Sequence, residues 1–291
     1  MVSVRKRYTR DMRRPKRHGS DQGDGRRVGL ARALSKLGYC SRFQAADHIR
    51  SGKVTLNGSI TRNPEAPVRL GKDRIAIGGR QVGELKSLYW MVNKPRGVVT
   101  SAKDERGRQT VYGLLLTNDG TRRLPWMGPV GRLDQASEGL LLFTNDSEWA
   151  AKITAPESHL DKTYHVQISG AADNPMLRLL EAGIRTRDGE LLRAKRASLL
   201  RAGEKNSWLV MVLDEGKNRQ IRRIFEALEM AVLRLVRVAI GPLELGDLAK
   251  GRARPLTASE KAALDEAIRA AREPSVRSAP ETEGSSSGWD R

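Results

Sequence analysis

A single carboxylate stands in a glycine-bounded turn near the middle of the sequence, in Gly131-Arg132-Leu133-Asp134-Gln135-Ala136-Ser137-Glu138-Gly139. The turn feeds Leu140-Leu141-Leu142-Phe143 and closes on Thr144-Asn145-Asp146, so the apolar run reads as a fully buried strand. An ionised Asp134 at the edge of a core requires a cation or hydrogen-bond donors, because an isolated buried charge is very costly. Arg132 is the nearest candidate, and the basic segment Lys217-Asn218-Arg219-Gln220-Ile221-Arg222-Arg223 is the other. A carboxylate kept ionised there can serve as a nucleophile or a base. Tyr164 lies on an alternating strand, and Arg222 on the helix that follows the basic turn. Taken singly, Tyr164 reads as core and Arg222 as a surface arginine. Periodicity alone does not bring the three elements together.

Other chemistries lack their residues. The single cysteine, Cys40, excludes an internal disulfide and a cysteine-based zinc cluster, and suits a reducing, cytoplasmic setting. His18, His48, His159 and His165 have no paired metal-ligand spacing, and neither GxxxxGK[ST] nor GxGxxG occurs. No metal and no cofactor, nucleotide cofactors included, are therefore expected. No apolar run approaches the roughly eighteen residues of a membrane span, and no apolar stretch follows the basic N-terminus. The expectation is a soluble, unexported chain with no membrane partner, and a monomer by default.

The net charge of +19 and a pI near 10.6 far exceed what solubility requires. A polyanionic partner is the natural reading, and nucleic acid the obvious one. Residues 1–27 carry ten Lys/Arg against three acids with little apolar periodicity, so they read as a disordered basic arm. Residues 273–291, rich in Pro, Ser and Gly, read as a disordered tail.

Residues 28–84 form a compact unit. Leu30, Leu34 and Leu37 share a helical face that Gly38 can end, and Ser41 with Gln44 makes a capping box for a second helix. Lys53-Val54-Thr55-Leu56 follows as a strand, Asn57-Gly58 is a strong hairpin turn, and Arg74-Ile75-Ala76-Ile77 is a further strand. Arg32, Lys36, Arg42, Arg50 and Lys53 avoid the apolar stripe and can form one basic face. Residues 85–272 alternate strands and helices. The strands are Leu88 to Val92, Thr163 to Ile168 with Tyr164, Val166 and Ile168 on one face, Ser207 to Leu213, and Val232 to Ile240. Asn174-Pro175 opens a helix closed by Gly183, Ile221, Ile224, Phe225 and Leu228 line another, and Thr257 with Glu260 caps the last. The fold class is α+β, with the second domain on a mixed, mainly antiparallel sheet.

Gly38-Tyr39-Cys40-Ser41-Arg42-Phe43-Gln44-Ala45 and Ile49-Arg50-Ser51-Gly52-Lys53-Val54-Thr55-Leu56-Asn57-Gly58 resemble an S4 RNA-binding domain. The resemblance implies that this unit grips structured RNA through backbone and shape. Phe43 stands where that family often has a second arginine. Residues 29 to about 257 as a whole resemble the RsuA-type ribosomal RNA pseudouridine synthase family. The matching words are Asn93-Lys94-Pro95-Arg96-Gly97, Gly131 to Leu142, Lys162-Thr163-Tyr164-His165-Val166, Gly216 to Arg223 and Leu233 to Gly241. Gly113 departs from an acidic residue often seen there.

The resemblance implies that Asp134 is the essential aspartate, that Tyr164 packs on the target base, and that Arg222 pairs with Asp134. Arg132 and Gln220 are implied as supporting members. Lys94, Arg96, Lys217, Arg219 and Arg223 join the S4 cations as expected RNA contacts. The implied partner is ribosomal RNA, with 23S favoured by the wording around Ser137-Glu138-Gly139. A catalytically silent ribosome-assembly factor and a synthase acting on 16S rRNA or tRNA are the alternative readings.

Overall fold

The computed structural model describes residues 27–83, 86–102, 104–115 and 125–271. The expected basic arm up to residue 26 and the expected tail from 273 lie outside the described residues. Arg27, read as part of the arm, instead opens a strand, β1 (Arg27–Gly29), which pairs with β4 (Pro67–Arg69).

Between these strands lie α1 (Leu30–Lys36), α2 (Arg42–Arg50), β2 (Val54–Leu56) and β3 (Ser59–Ile60), followed after β4 by β5 (Ile75–Ile77) and β6 (Arg80–Gln81). Ser41 and Gln44 form the capping box on α2, with Gln44 N donating to Ser41 Oγ at 3.1 Å and Ser41 N to Gln44 Oε1 at 3.1 Å. The β2–β3 hairpin turns at Asn57 and Gly58, whose φ values of 53° and 87° are the left-handed pair such a two-residue turn demands. Leu30, Leu34, Ile49, Val54 and Val68 are fully buried and make this unit's own core.

The larger part runs β7 (Tyr89–Lys94), β8 (Gly128–Val130), β9 (Glu138–Thr144), α3 (Ser147–Thr154), β10 (Lys162–Ser169) and α4 (Asn174–Ala182). It continues with β11 (Ile184–Arg185), β12 (Leu191–Leu192), β13 (Arg196–Arg201), β14 (Asn206–Leu213), α5 (Gln220–Ala227), β15 (Val232–Ile240), β16 (Leu243–Glu244), β17 (Ala253–Pro255) and α6 (Ala258–Ala270). One sheet has the order β13-β14-β10-β15-β9-β7-β17, with β8 and β16 paired at its side. Its pairings are antiparallel except β15 with β9, so it is mixed and mainly antiparallel, as expected.

The apolar run of β9 is buried on both faces, which explains why it does not alternate. Leu140 and Leu142 join the core under α3 and α6, whereas Leu141 and Phe143 face the opposite core with Val92, Met127 and Leu133. A third core lies beneath α4 and α5 and takes Val166, Ile168, Leu209, Met211, Ile224 and Phe225.

Gly139 makes the parallel junction possible. It pairs with Arg237 of β15 at φ +102°, and a Cβ there would stand 2.2 Å from the Arg237 carbonyl oxygen and 2.8 Å from its nitrogen. Only glycine combines that dihedral with that approach. Glu138, 3% exposed, is held beside it by Lys250 at 2.6 Å and Arg234 at 3.2 Å. Burial acts to raise its carboxyl pKa, but the hydrogen bonds and charges of Lys250 and Arg234 outweigh burial and hold it below the ordinary value.

Gly139→Ala is therefore expected to cost about 3 kcal/mol or more, read as a fall of about 6–12 °C in thermal midpoint. An unchanged midpoint would show that β15 can retreat without penalty. A second expectation concerns α6, whose Glu260 accepts from Arg254 at 2.6 and 2.8 Å and caps Thr257 N. The Arg254 hydrogen bonds bring its carboxyl down to about 2 from 4.5. A depressed folded-state value gives stability that is complete above the unfolded value and is lost as pH falls toward the folded one. Acid unfolding between about pH 5 and 2 should be shallower in Glu260→Gln than in the parent chain.

Candidate active site

Asp134 sits in the loop between β8 and β9, opened by Gly131 at φ 73°. Five successive carbonyls of this loop have donors. Thr100 Oγ1 donates to Leu133 O at 2.7 Å, Ser137 N to Asp134 O at 3.0 Å, and Gly97 N to Gln135 O at 2.8 Å. Arg222 Nη2 donates to Ala136 O at 3.1 Å, and Lys94 Nζ to Ser137 O at 2.7 Å. The backbone is thus fixed from β7, from the segment after it and from α5, leaving the Asp134 side chain half-exposed and free to face solvent.

A cleft of about 450 Å³ opens in front of it, lined among others by Asp134, Arg132, Thr100, Asp104, Arg106 and Arg108. Its volume is in the range of small-ligand sites. Arg108 is held by Asp104 through a 2.6 Å ion pair and reaches Gln135 Oε1 at 3.4 Å. Residues 99–101, 104–106 and 108, which line this wall, were not singled out from the sequence. The charged residues here show no apolar periodicity, so the sequence carries no signal for a wall there.

Tyr164, on β10, lies opposite Met211 of β14 and Arg237 of β15. It is half-buried and packs against two cores, one of which contains Leu133, the residue before Asp134. Neither Tyr164 nor Arg222 lines the cleft itself.

The expected pairing of Arg222 with Asp134 is not the one observed. The arginine that reaches the carboxylate is Arg219, with Nη1 4.0 Å from Oδ2. Arg219 immediately precedes α5 at φ 48°, a left-handed conformation uncommon for a side-chain-bearing residue. Arg222 is drawn inward instead, spanning Ala136 O and Val232 O, the latter at 3.3 Å. Burial lowers its pKa, the charges of Arg219 and Arg96 lower it further, and Asp134 opposes them, so the carboxylate is felt although it is not bonded. The guanidinium nevertheless stays charged.

Several expected RNA contacts also stand differently. Lys94 is 0% exposed and bonds only carbonyls, Ser137 O and Pro95 O, so it braces the loop and does not meet RNA. Burial brings its pKa down to about 8 against the opposing pull of Asp134 and Glu138. Arg223 is paired with Asp188 and Glu190, both at 2.7 Å, and Lys217 with Glu215 at 3.2 Å and Glu190 at 3.4 Å. Their charge is largely answered within the protein. Gln220 is 3% exposed and donates to Arg193 O at 3.0 Å and Glu215 Oε1 at 2.6 Å, so it shapes the turn before α5 rather than the cleft. Lys36 reaches across to Glu148 of α3 at 3.2 Å. Arg32, Arg42, Arg50, Lys53 and Arg96 are exposed as expected, with Arg96 Nη1 also donating to Leu233 O at 3.3 Å. Among the described residues no cluster of His, Cys, Asp and Glu could hold a metal ion, and no helix is long and apolar enough to cross a membrane.

Comparison with known proteins gives this geometry a family. The family described as RNA pseudouridylate synthase matches residues 88–227, and the S4 domain family matches residues 28–75. The ribosomal large subunit pseudouridine synthase B of Bacillus subtilis is 38% identical over 234 residues, spanning 79% of this chain and 93% of that protein. An uncharacterized RNA pseudouridine synthase of Aquifex aeolicus is 34% identical over 242 residues, spanning 83% of this chain and 95% of its own. A crystal structure of a pseudouridylate synthase aligns with a TM-score of 0.55 at 29% identity, covering 81% of this chain and 99% of the other. With an S4 unit, a synthase-type sheet and a braced aspartate in family order, this chain belongs to the RsuA-type RNA pseudouridine synthases.

Proposed function

We propose that this enzyme isomerises a uridine of large-subunit ribosomal RNA, with Asp134 as the essential carboxylate. The observation that carries the role of Asp134 is the loop whose five carbonyls are individually held while its one carboxylate faces a cleft beside Arg219. The ribosomal target is supported by the Bacillus subtilis relative, named for the large subunit.

The reaction breaks the bond from ribose C1′ to uracil N1 and forms one from C1′ to C5, after which the C5 proton is lost and N1 gains one. No oxidant, reductant or nucleotide is consumed. Asp134 can attack the sugar directly or remove a sugar proton to give a glycal, and it must be ionised for either. Arg219 Nη1 stands 4.0 Å from the Asp134 Oδ2. Arg222 acts one step removed, by fixing Ala136 O and hence the backbone on which Asp134 rides. Arg132, exposed at the cleft, is placed to meet the phosphate or base of the entering nucleotide.

A uridine within structured RNA must leave its stack to enter the cleft, at a cost of a few kcal/mol. Stacking on an aromatic ring contributes about 1–3 kcal/mol; Tyr164 packs behind Leu133 outside the cleft lining, so it offsets that cost only for a base that passes beyond the cleft to reach it.

Asp134→Asn should abolish pseudouridine formation while RNA affinity stays close to that of the parent chain, read by filter binding and by mapping of modified uridines. Turnover in that variant would remove Asp134 from the chemistry. Mapping large- and small-subunit RNA with and without the active enzyme tests the target, and a new site in the small subunit alone would redirect it. Arg222→Ala should lower kcat by about 100-fold or more, the scale of losing a group that preorganises a site. Its stability should also fall, by up to about 3–6 kcal/mol for two hydrogen bonds from a charged donor, so kcat is read at a temperature where the variant is folded. A variant turning over at the parental rate would show that the loop holds Asp134 without this brace.

A further inference from the structure

The S4 unit leaves two large aromatic side chains in water, Phe43 and the less exposed Tyr39 at 47%. Phe43 is 66% exposed, more than any other large apolar side chain described. The chain has only three phenylalanines, and the other two, Phe143 and Phe225, are core residues at 0% exposure. The fold does not need the ring, because α2 turns Ala45 and Ile49 inward and both are fully buried. Phe43, Asp47 and Arg50, spaced i, i+4 and i+7, share the outward stripe.

Exposed cations share the helices of this unit with the ring, and Tyr39, just before α2, is the other exposed ring. Arg42 and Arg50 are exposed on the same helix, Arg32 on α1, and Lys53 just beyond the end of α2. Arg50 makes only a long 3.8 Å contact with Asp47. A protein partner recognised through Phe43 would want apolar neighbours around it, as in the centre of an interface. A partner that is both polyanionic and rich in flat aromatic faces is RNA, and single-stranded RNA is recognised by stacking unpaired bases on such rings.

We infer that Phe43 is a stacking platform for an unpaired nucleobase of the RNA substrate, flanked by phosphate contacts from Arg42 and Arg50. The inference rests on the proposed RNA substrate and goes beyond it by giving the S4 unit a base contact in addition to backbone grip. Two contacts tie the S4 unit to the synthase part. Trp126 N donates to Gly38 O at 2.7 Å in the turn that leads into α2, and Lys36 pairs with Glu148 at 3.2 Å. Trp126 is itself stacked on Tyr112 with centroids 4.5 Å apart. A base docked on Phe43 therefore sets where the same RNA molecule can offer a uridine to Asp134.

The test uses the full chain, an unmodified large-subunit ribosomal RNA transcript, and the variants Phe43→Ala, Phe43→Leu and Phe43→Trp. Loss of one stacked base predicts that Ala and Leu each raise Kd and KM by about tenfold, with kcat and thermal midpoint unchanged. Trp should bind as the parent does. Because no phosphate contact is lost, the slope of log Kd against log salt should be the same for all four proteins. Ala binding like the parent overturns the inference, and so does Leu binding like the parent while Ala weakens, since that marks a generic apolar contact. Failure of the parent chain to bind the transcript overturns instead the proposed substrate.

Discussion

The site depends on cations being spent on the backbone of one short loop. Lys94 and Arg222 approach the Asp134 loop from β7 and α5, and both direct their nitrogens to carbonyl oxygens rather than to the carboxylate. Burying an ammonium is costly, and the lowered pKa of Lys94, near 8, records that cost. What offsets it is two hydrogen bonds and the attraction of Asp134 and Glu138. The gain is geometric, since a loop with fixed carbonyls holds its carboxylate in one place. Arg222 is not wholly satisfied, as its Nε is buried without a partner. That is the kind of residual strain a functional site retains.

The second requirement is that β9 and β15 lie side by side. Their parallel junction brings the strand that follows Asp134 against the strand that follows α5, so that Arg219 and Arg222 come within reach of the loop. Gly139 permits this contact by lacking a side chain where the Arg237 carbonyl passes. Arg237, 7% exposed, fastens the same seam by donating from Nε to Leu140 O at 2.8 Å. One small residue next to the Asp134 loop thus decides whether its distant partners arrive.

The charge of the chain divides into two populations. Lys217, Arg223, Lys36, Arg234 and Lys250 are answered by acids and hold the protein to itself. Arg32, Arg42, Arg50, Lys53 and Arg96 remain exposed, Arg50 with only a long contact to Asp47. A net charge of +19 does not say which is which.

Local structure was legible because its causes are local. The capping boxes at Ser41 and Thr257, the Asn57-Gly58 turn, the Pro175 and Gly183 helix bounds and the strand Val232 to Ile240 each follow from neighbours a few residues apart, and each stands as read. The matching words in family order also pointed to Asp134, and the apolar run after it was correctly read as buried on both sides. The partners of Asp134 were decided only by tertiary structure. Sequence spacing puts Arg219 and Arg222 on one short segment, but which of them faces the carboxylate depends on a left-handed residue before α5 and on the carbonyls Ala136 and Val232. Lys94 was expected among the RNA contacts because it stands in one of the matching words. Its burial follows from the loop that folds over it 43 residues later, and no periodicity within β7 carries that information.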